Sequence, residues 1–166
     1  MNKNIILIGM MGAGKSSVAR VLQNTMDDDF DLIDSDTIIE KKIGLSIPQI
    51  FADKGEFFFR DLEENFIKNF SGSNTILSTG GGMPFYKNNW KLLNRLGTTF
   101  FLSHSLKQLL ENISKSKRPR PLFNENNFRE LYEARLPLYQ KADYSINCAN
   151  LHQTEIARKI IKLYKA

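Results

Sequence analysis

The chain has 166 residues, of which 42% are hydrophobic, 25% charged and 11% aromatic; that suffices for one domain burying about two thirds of its unfolded surface and excludes wholesale disorder. Lysine and arginine number 23 against 18 aspartate and glutamate, a formal net charge of +5, which favours an anionic partner: nucleic acid, an acidic membrane, or a small phosphorylated or carboxylated molecule. A single cysteine, Cys148, and two scattered histidines exclude an internal disulfide and structural zinc, and no apolar run nears the roughly 20 residues that cross a bilayer, so a cytoplasmic protein with no membrane partner is expected.

Asn4 to Ile8 reads as a buried strand that runs into Gly9-Met10-Met11-Gly12-Ala13-Gly14-Lys15-Ser16, with a helix predicted from about Gly14 to Thr25. The run matches G-x-x-x-x-G-K-[ST] in the context that motif requires, a strand before it and a helix after it. The glycines let several backbone N–H groups point at one anion, the lysine reaches the outer phosphates of a nucleotide, and the serine hydroxyl suits Mg²⁺. A plain glycine-rich turn would explain the glycines but not Lys15-Ser16. The motif fits motors, switches and kinases alike. The chain has no guanine-reading Asn-Lys-x-Asp and little room for a mechanical apparatus, so a small kinase leads.

A second strand, Asp31 to Asp34, ends in Leu32-Ile33-Asp34-Ser35-Asp36. Two carboxylates at a strand end beside a phosphate loop can hold Mg²⁺ through water and grip a substrate hydroxyl, while a helix cap needs only one of them. Helical segments follow around Thr37 to Lys42 and Glu56 to Phe70. In the latter, Phe59, Leu62, Phe66 and Phe70 fall near one face, and Arg60 and Glu63 are neighbours on another. Arg60 either offers its planar fork to a ligand carboxylate or pairs with Glu63 on the surface; these residues alone do not decide.

A third strand, Thr75 to Ser78, leads into Gly80-Gly81-Gly82, whose bare backbone can face a ligand. After a fourth strand, Thr98 to Leu102, Lys115 to Leu122 carries four cations and two prolines, as a basic lid over a triphosphate would. Arg135, just before Leu136-Pro137-Leu138-Tyr139, is either a second carboxylate ligand or a cation compensating a helix end. A fifth strand, Tyr144 to Asn147, precedes an amphipathic helix, Thr154 to Ala166, that packs one stripe on the core. Apolar strands alternating with helices predict an α/β fold, a parallel sheet covered on both faces, with ligands at the strand ends. No repeat or linker divides the chain, and no nucleic-acid-binding module is recognisable, so no nucleic-acid partner is expected.

In order along nearly the whole chain, Gly-Met-Met-Gly-Ala-Gly-Lys-Ser, Leu-Ile-Asp-Ser-Asp, Ile-Phe-Ala-Asp-Lys-Gly-Glu-Phe-Phe-Phe-Arg, Gly-Gly-Gly, Arg-Pro-Leu and Arg-Leu-Pro-Leu-Tyr together resemble the bacterial shikimate kinases. The resemblance implies one domain over residues 1–166, a three-layer α/β/α P-loop kinase fold of nucleoside-monophosphate-kinase type. Its five-stranded parallel sheet would run in order 2-3-1-4-5, with an acceptor-binding region at about 35–70 and a lid at about 114–126. It implies Mg²⁺-dependent transfer of the γ-phosphoryl group of ATP to the 3-hydroxyl of shikimate, in a cytoplasmic, monomeric enzyme. By the same resemblance Gly12, Ala13, Gly14, Lys15, Ser16 and Ser17 hold the nucleotide, and Ser16 and Asp34 serve the metal. Asp36 holds the acceptor hydroxyl, Arg60, Arg135 and Gly81 bind shikimate against Phe51 and Phe59, and Arg120 of the lid reaches the phosphates. Lys15, Asp36 and Arg120 are then the catalytic set. Two departures stand out: the place of the arginine that often stacks on adenine in the family falls near Ile113, and Cys148-Ala149-Asn150-Leu151-His152 stands where the family often has an Asp-Thr loop, which leaves adenine to groups around Asn150 and His152.

Overall fold

The computed structural model describes residues 4–26, 30–116 and 124–166. Five strands, β1 (Ile5–Ile8), β2 (Asp31–Asp34), β3 (Thr75–Ser78), β4 (Thr98–Ser103) and β5 (Tyr144–Asn147), form one sheet in order 2-3-1-4-5. All four pairings are parallel, with Ile5 beside Ile76 and Thr98, and Asp34 beside Ser78. This is the expected sheet. Every residue of β1 and β3 is buried, as a central parallel strand demands, whereas the edge strands β2 and β5 alternate or stay half-buried. Fully burying aliphatic side chains such as Ile5 to Ile8 contributes about 1.5–3 kcal/mol each.

Asn4, expected in the first strand, lies just before it and acts through its side chain. Its Nδ2 donates to Gly72 O at 2.9 Å and Leu96 O at 2.8 Å, and its Oδ1 accepts from Thr75 N at 2.9 Å. One buried amide thus ties together the starts of β1, β3 and β4.

The helices are α1 (Lys15–Thr25), α2 (Ser35–Ile43), α3 (Ile47–Lys68), α4 (Asn89–Leu96), α5 (Leu106–Ser114), α6 (Glu125–Tyr139) and α7 (Gln153–Tyr164), with a 3₁₀ turn at Met83–Phe85. They complete the α/β/α layering; α1 packs against α7 and the central strands, and α4 against β4 and α3. The helix predicted from Glu56 is the second half of α3. Its first half starts at Ser46, whose backbone N–H donates to Gln49 Oε1 at 2.9 Å in a capping box. Gly55, with φ 80°, kinks the helix between the halves, which is why the apolar period restarts there.

The predicted phenylalanine stripe of α3 divides between two apolar clusters. Phe66 and Phe70 pack on the main core around the sheet, while Phe59 and Leu62 join Ile39, Ile50 and Phe51 in a smaller cluster shared with α2. Among the described residues no helix is long and apolar enough to cross a membrane. Most of the expected basic lid, with Arg120, lies outside the described residues.

Candidate active site

The loop from Gly9 to Gly14 joins β1 to α1, so the α1 N-terminus opens at the C-terminal edge of the sheet. Gly12 and Gly14 have φ of 84° and 78°, a left-handed conformation that side chains rarely adopt. Lys15 is buried and lies back across the loop, donating from Nζ to Gly9 O at 2.8 Å and Met10 O at 3.0 Å. Asn112 of α5 supports the loop from behind through a 2.9 Å bond from Nδ2 to Gly12 O. Ile113 is buried beside Gly12 and packs under the loop.

Asp34 takes the capping role considered for it and also bonds Ser16. Its Oδ1 accepts from Thr37 N at 3.3 Å, capping α2, and its Oδ2 accepts from Ser16 Oγ at 2.6 Å. Ser78 Oγ lies 3.2 Å from Ser16 Oγ, completing three side-chain oxygens from the ends of β2, β3 and the first turn of α1. Hard oxygen donors in this number suit Mg²⁺, which takes few protein ligands alongside water and phosphate.

A cleft of about 720 Å³ runs from this loop to a second polar cluster. Gly12, Gly14, Lys15, Ser16 and Ser17 line it at the loop, Asp36, Arg60 and Arg135 line it beyond, and Phe51, Phe59 and Gly81 line it as well, Gly81 close against the backbone of Gly9 and Met11. Those two rings meet with centroids 5.0 Å apart. Ala13 is buried in the loop rather than on the cleft, its carbonyl 3.2 Å from His104 Nε2. His152 is exposed and caps α7; its neighbour Gln153 lines the cleft and His152 does not.

The second cluster comes from four elements. Asp36 sits in the first turn of α2, Arg60 and Glu63 on α3, Gly80 to Gly82 after β3, and Arg135 near the end of α6. Arg60 does pair with Glu63, but the pair is buried: Nη1 lies 2.6 Å from Glu63 Oε2, and the residues are 7% and 0% exposed. Glu56 Oε1 adds a second contact to Arg60 Nη2 at 3.0 Å. Burial works against the Arg60 charge, but Glu63 and Glu56 outweigh it and leave its pKa raised.

In the sequence Glu63 is only a neighbour of Arg60; its burial needs the tertiary fold. A Cβ on Gly80 would lie 2.5 Å from Glu63 Oε1 and 2.8 Å from Asp36 Oδ1, so the two carboxylates converge over that glycine. Burial pushes the Glu63 carboxyl up to about 7; the opposing attraction of Arg60 is partly undone by repulsion from Asp36.

Arg135 differs from Arg60. It is 8% exposed, its Cζ lies 5.2 Å from the centre of the Phe85 ring, and no carboxylate pairs with it among the described residues. Burial, with the Arg60 charge nearby, lowers its pKa. A buried guanidinium without a counter-charge facing a cleft is a site for an anion. The end of the cleft opposite the phosphate loop therefore offers two arginines to a carboxylate-sized group and one aspartate to a hydroxyl.

The family profile described as shikimate kinase matches residues 11–165. The shikimate kinase of Thermodesulfovibrio yellowstonii is 39% identical over 98% of this chain and 95% of its own length. The solved shikimate kinase of Acinetobacter baumannii in complex with shikimate superposes with a TM-score of 0.88 at 35% identity, over 96% of this chain and 91% of that one. That of Aquifex aeolicus gives 0.81 at 34% identity, over 98% and 96%. With the phosphate loop, the sheet order and these matches along almost its whole length, the chain belongs to the shikimate kinase family.

Proposed function

We propose that the chain transfers the γ-phosphoryl group of ATP to the 3-hydroxyl of shikimate, giving shikimate 3-phosphate and ADP on the route to chorismate and the aromatic amino acids. The observation that carries this reading is Arg135, buried in the cleft with no carboxylate partner among the described residues. Shikimate supplies the missing counter-charge as its carboxylate, and Arg60 approaches the same group from α3. Gly81 lines the pocket, with Phe51 and Phe59 as its apolar wall. Asp36 receives the 3-hydroxyl and turns it in line with the γ-phosphorus.

The nucleotide phosphates take the N–H groups of the loop from Gly12 to Ser17, including the Ala13 amide. Lys15 then leaves its loop carbonyls for the β- and γ-phosphate oxygens. Ser16 and Asp34 would hold Mg²⁺, which when bound would neutralise charge on the phosphate oxygens. Arg120 of the basic segment reaches the transferring group from the lid, at about residues 114–126. His152 contributes to the adenine end through its backbone, beside Gln153. Transfer through a loose transition state asks mainly for positioning and neutralisation, so Asp36 acts chiefly by orienting the hydroxyl. This reading has one domain spanning residues 1–166, monomeric because one chain supplies both ends of the cleft, and cytoplasmic, where ATP is made available.

The test is ADP release, by a coupled assay with ATP and Mg²⁺, in the presence of shikimate, gluconate or a nucleoside monophosphate. Release dependent on shikimate alone is expected. Release with another acceptor would retain the phosphate loop and remove the roles given to Arg60 and Arg135. No release with any acceptor, from folded ATP-binding protein, would make the chain a binding module.

A further inference from the structure

Tyr139, the last residue of α6, is fully buried. Its ring stacks on Phe101 of β4, with centroids 5.0 Å apart at 12°, and meets Phe85 edge-on at 5.0 Å. A phenylalanine would make both contacts, so the apolar packing does not account for the hydroxyl. Burying a hydroxyl costs free energy unless it is hydrogen-bonded.

Of the groups around that hydroxyl, Gly81 and Arg135 line the cleft, and Met10 is buried in the core beside it. The hydroxyl donates to Gly81 O at 2.5 Å and lies 3.8 Å from Met10 Sδ in the phosphate loop. One helical turn earlier, Arg135 brings its guanidinium beside the same phenol oxygen. With its proton committed to Gly81 O, the oxygen can still accept an N–H from Arg135. Burial raises the phenol pKa further, so the proton stays in place across the working pH range.

We infer that the Tyr139 hydroxyl is a positioning group for the acceptor: it fixes the Gly81 carbonyl and the Arg135 guanidinium in one geometry, and so sets affinity for the acceptor rather than for ATP. The inference rests on the reading of Gly81 and Arg135 as acceptor-binding groups. It adds to that reading a residue that touches no substrate and acts through two that do. Arg135 needs such help because no carboxylate among the described residues holds it in place, whereas Arg60 is held by Glu63 and Glu56.

The experiment compares Tyr139→Phe with the wild-type enzyme, measuring KM for shikimate, KM for ATP, kcat and Tm. Phe101→Leu serves as a second variant that weakens the packing and keeps the hydroxyl. Tyr139→Phe is expected to raise the shikimate KM roughly tenfold, the scale of one charge-assisted hydrogen bond, with the ATP KM and kcat within about twofold. Phe101→Leu is expected to lower Tm and leave the ratio of the two KM values unchanged. An unaltered shikimate KM in Tyr139→Phe overturns the inference, as does an equal rise in both KM values, which would tie the hydroxyl to the phosphate loop through Met10. Failure of Tyr139→Phe to fold also overturns it, because the hydroxyl would then serve the core. If the wild-type enzyme did not phosphorylate shikimate, the acceptor assignment itself would fall; wild-type turnover with an unchanged variant removes only the role of Tyr139.

Discussion

Gly82→Ala tests the acceptor end of the cleft without altering any charged group. Gly82 has φ −90° and ψ −12°, which any residue adopts, so the substitution strains no backbone. Its consequence is steric. A Cβ there would meet the Arg60 guanidinium, with Cζ and Nη1 each at 2.6 Å, whereas ordinary contact begins at 3.4 Å. Nη2 stands closer still, so the guanidinium must retreat by about 1 Å to reach that contact. It is anchored at 2.6 Å to Glu63 and 3.0 Å to Glu56, and a buried pair this short has little room to yield.

Displacing Arg60 by that amount takes one of its N–H groups out of reach of a bound carboxylate. A hydrogen bond to a charged group is worth about 1.5–3 kcal/mol, so the shikimate KM should rise roughly ten- to a hundredfold. Steady-state kinetics with each substrate varied in turn provides the measurement, with a thermal melt to establish that the variant is folded. The ATP KM should stay within about twofold, because the hydrogen bonds of the Arg60 side chain go to Glu56 and Glu63 and not to the phosphate loop. A folded Gly82→Ala enzyme with the wild-type shikimate KM would show that Arg60 does not bind the acceptor, or that the strap of glycines moves freely. Either result refutes the reasoning.

Three further expectations follow from the same geometry. Gly12→Ala combines φ 84° with a Cβ 2.9 Å from Ile113 Cγ1 and 3.0 Å from Leu109 O, so it should cost about 1–3 kcal/mol of stability and raise the ATP KM; a wild-type Tm and ATP KM would deny that the loop needs this conformation. Arg135→Met should leave Tm unchanged or higher while abolishing shikimate binding by calorimetry, because it removes a buried cation that no carboxylate among the described residues pairs. Arg60→Met should instead lose about 3 kcal/mol by leaving Glu63 uncompensated, and equal melting shifts in the two variants would erase the distinction between the arginines. The Glu63 carboxyl is raised from 4.5 to about 7, so the folded state holds its proton more tightly than the unfolded state. The stability this contributes is full below pH 4.5 and lost as pH rises through 7. Denaturant titrations from pH 5 to 8 should therefore show the wild-type protein losing stability relative to Glu63→Gln, and parallel curves would contradict the burial of that carboxyl.

The phosphate end of the cleft was legible in the sequence because backbone makes it. Gly12, Gly14, Lys15 and Ser16 are contiguous, and the strand before them and the helix after them are set by local pattern. The sheet was legible for a similar reason: β2, β3 and β5 are short apolar or mixed runs bounded by turn residues, and their observed limits are those expected. The helices α4, α5 and α6 have no counterpart among the expected spans. Leu93, Leu109 and Phe128 of these helices all join the main core, and in α4 and α5 the apolar spacing that puts them there is present in the sequence.

The acceptor end was undecidable from the same sequence for a physical reason. Whether Arg60 and Glu63 form a solvated surface pair or a buried one depends on what covers them, and the cover comes from residues distant in the chain: Asp36, Gly80 and Gly82. Likewise Arg135 at a helix end could have been a cation compensating a dipole; only the packing of α6 against Phe85 makes it a desolvated charge facing a cleft. A charge of that kind is costly in the empty protein, and the cost is recovered when an anion arrives. In the proposed reaction the two arginines therefore act differently. Arg60, already neutralised by Glu63 and Glu56, keeps the pocket folded, and Arg135, with no carboxylate partner among the described residues, gives the pocket its preference for a carboxylate.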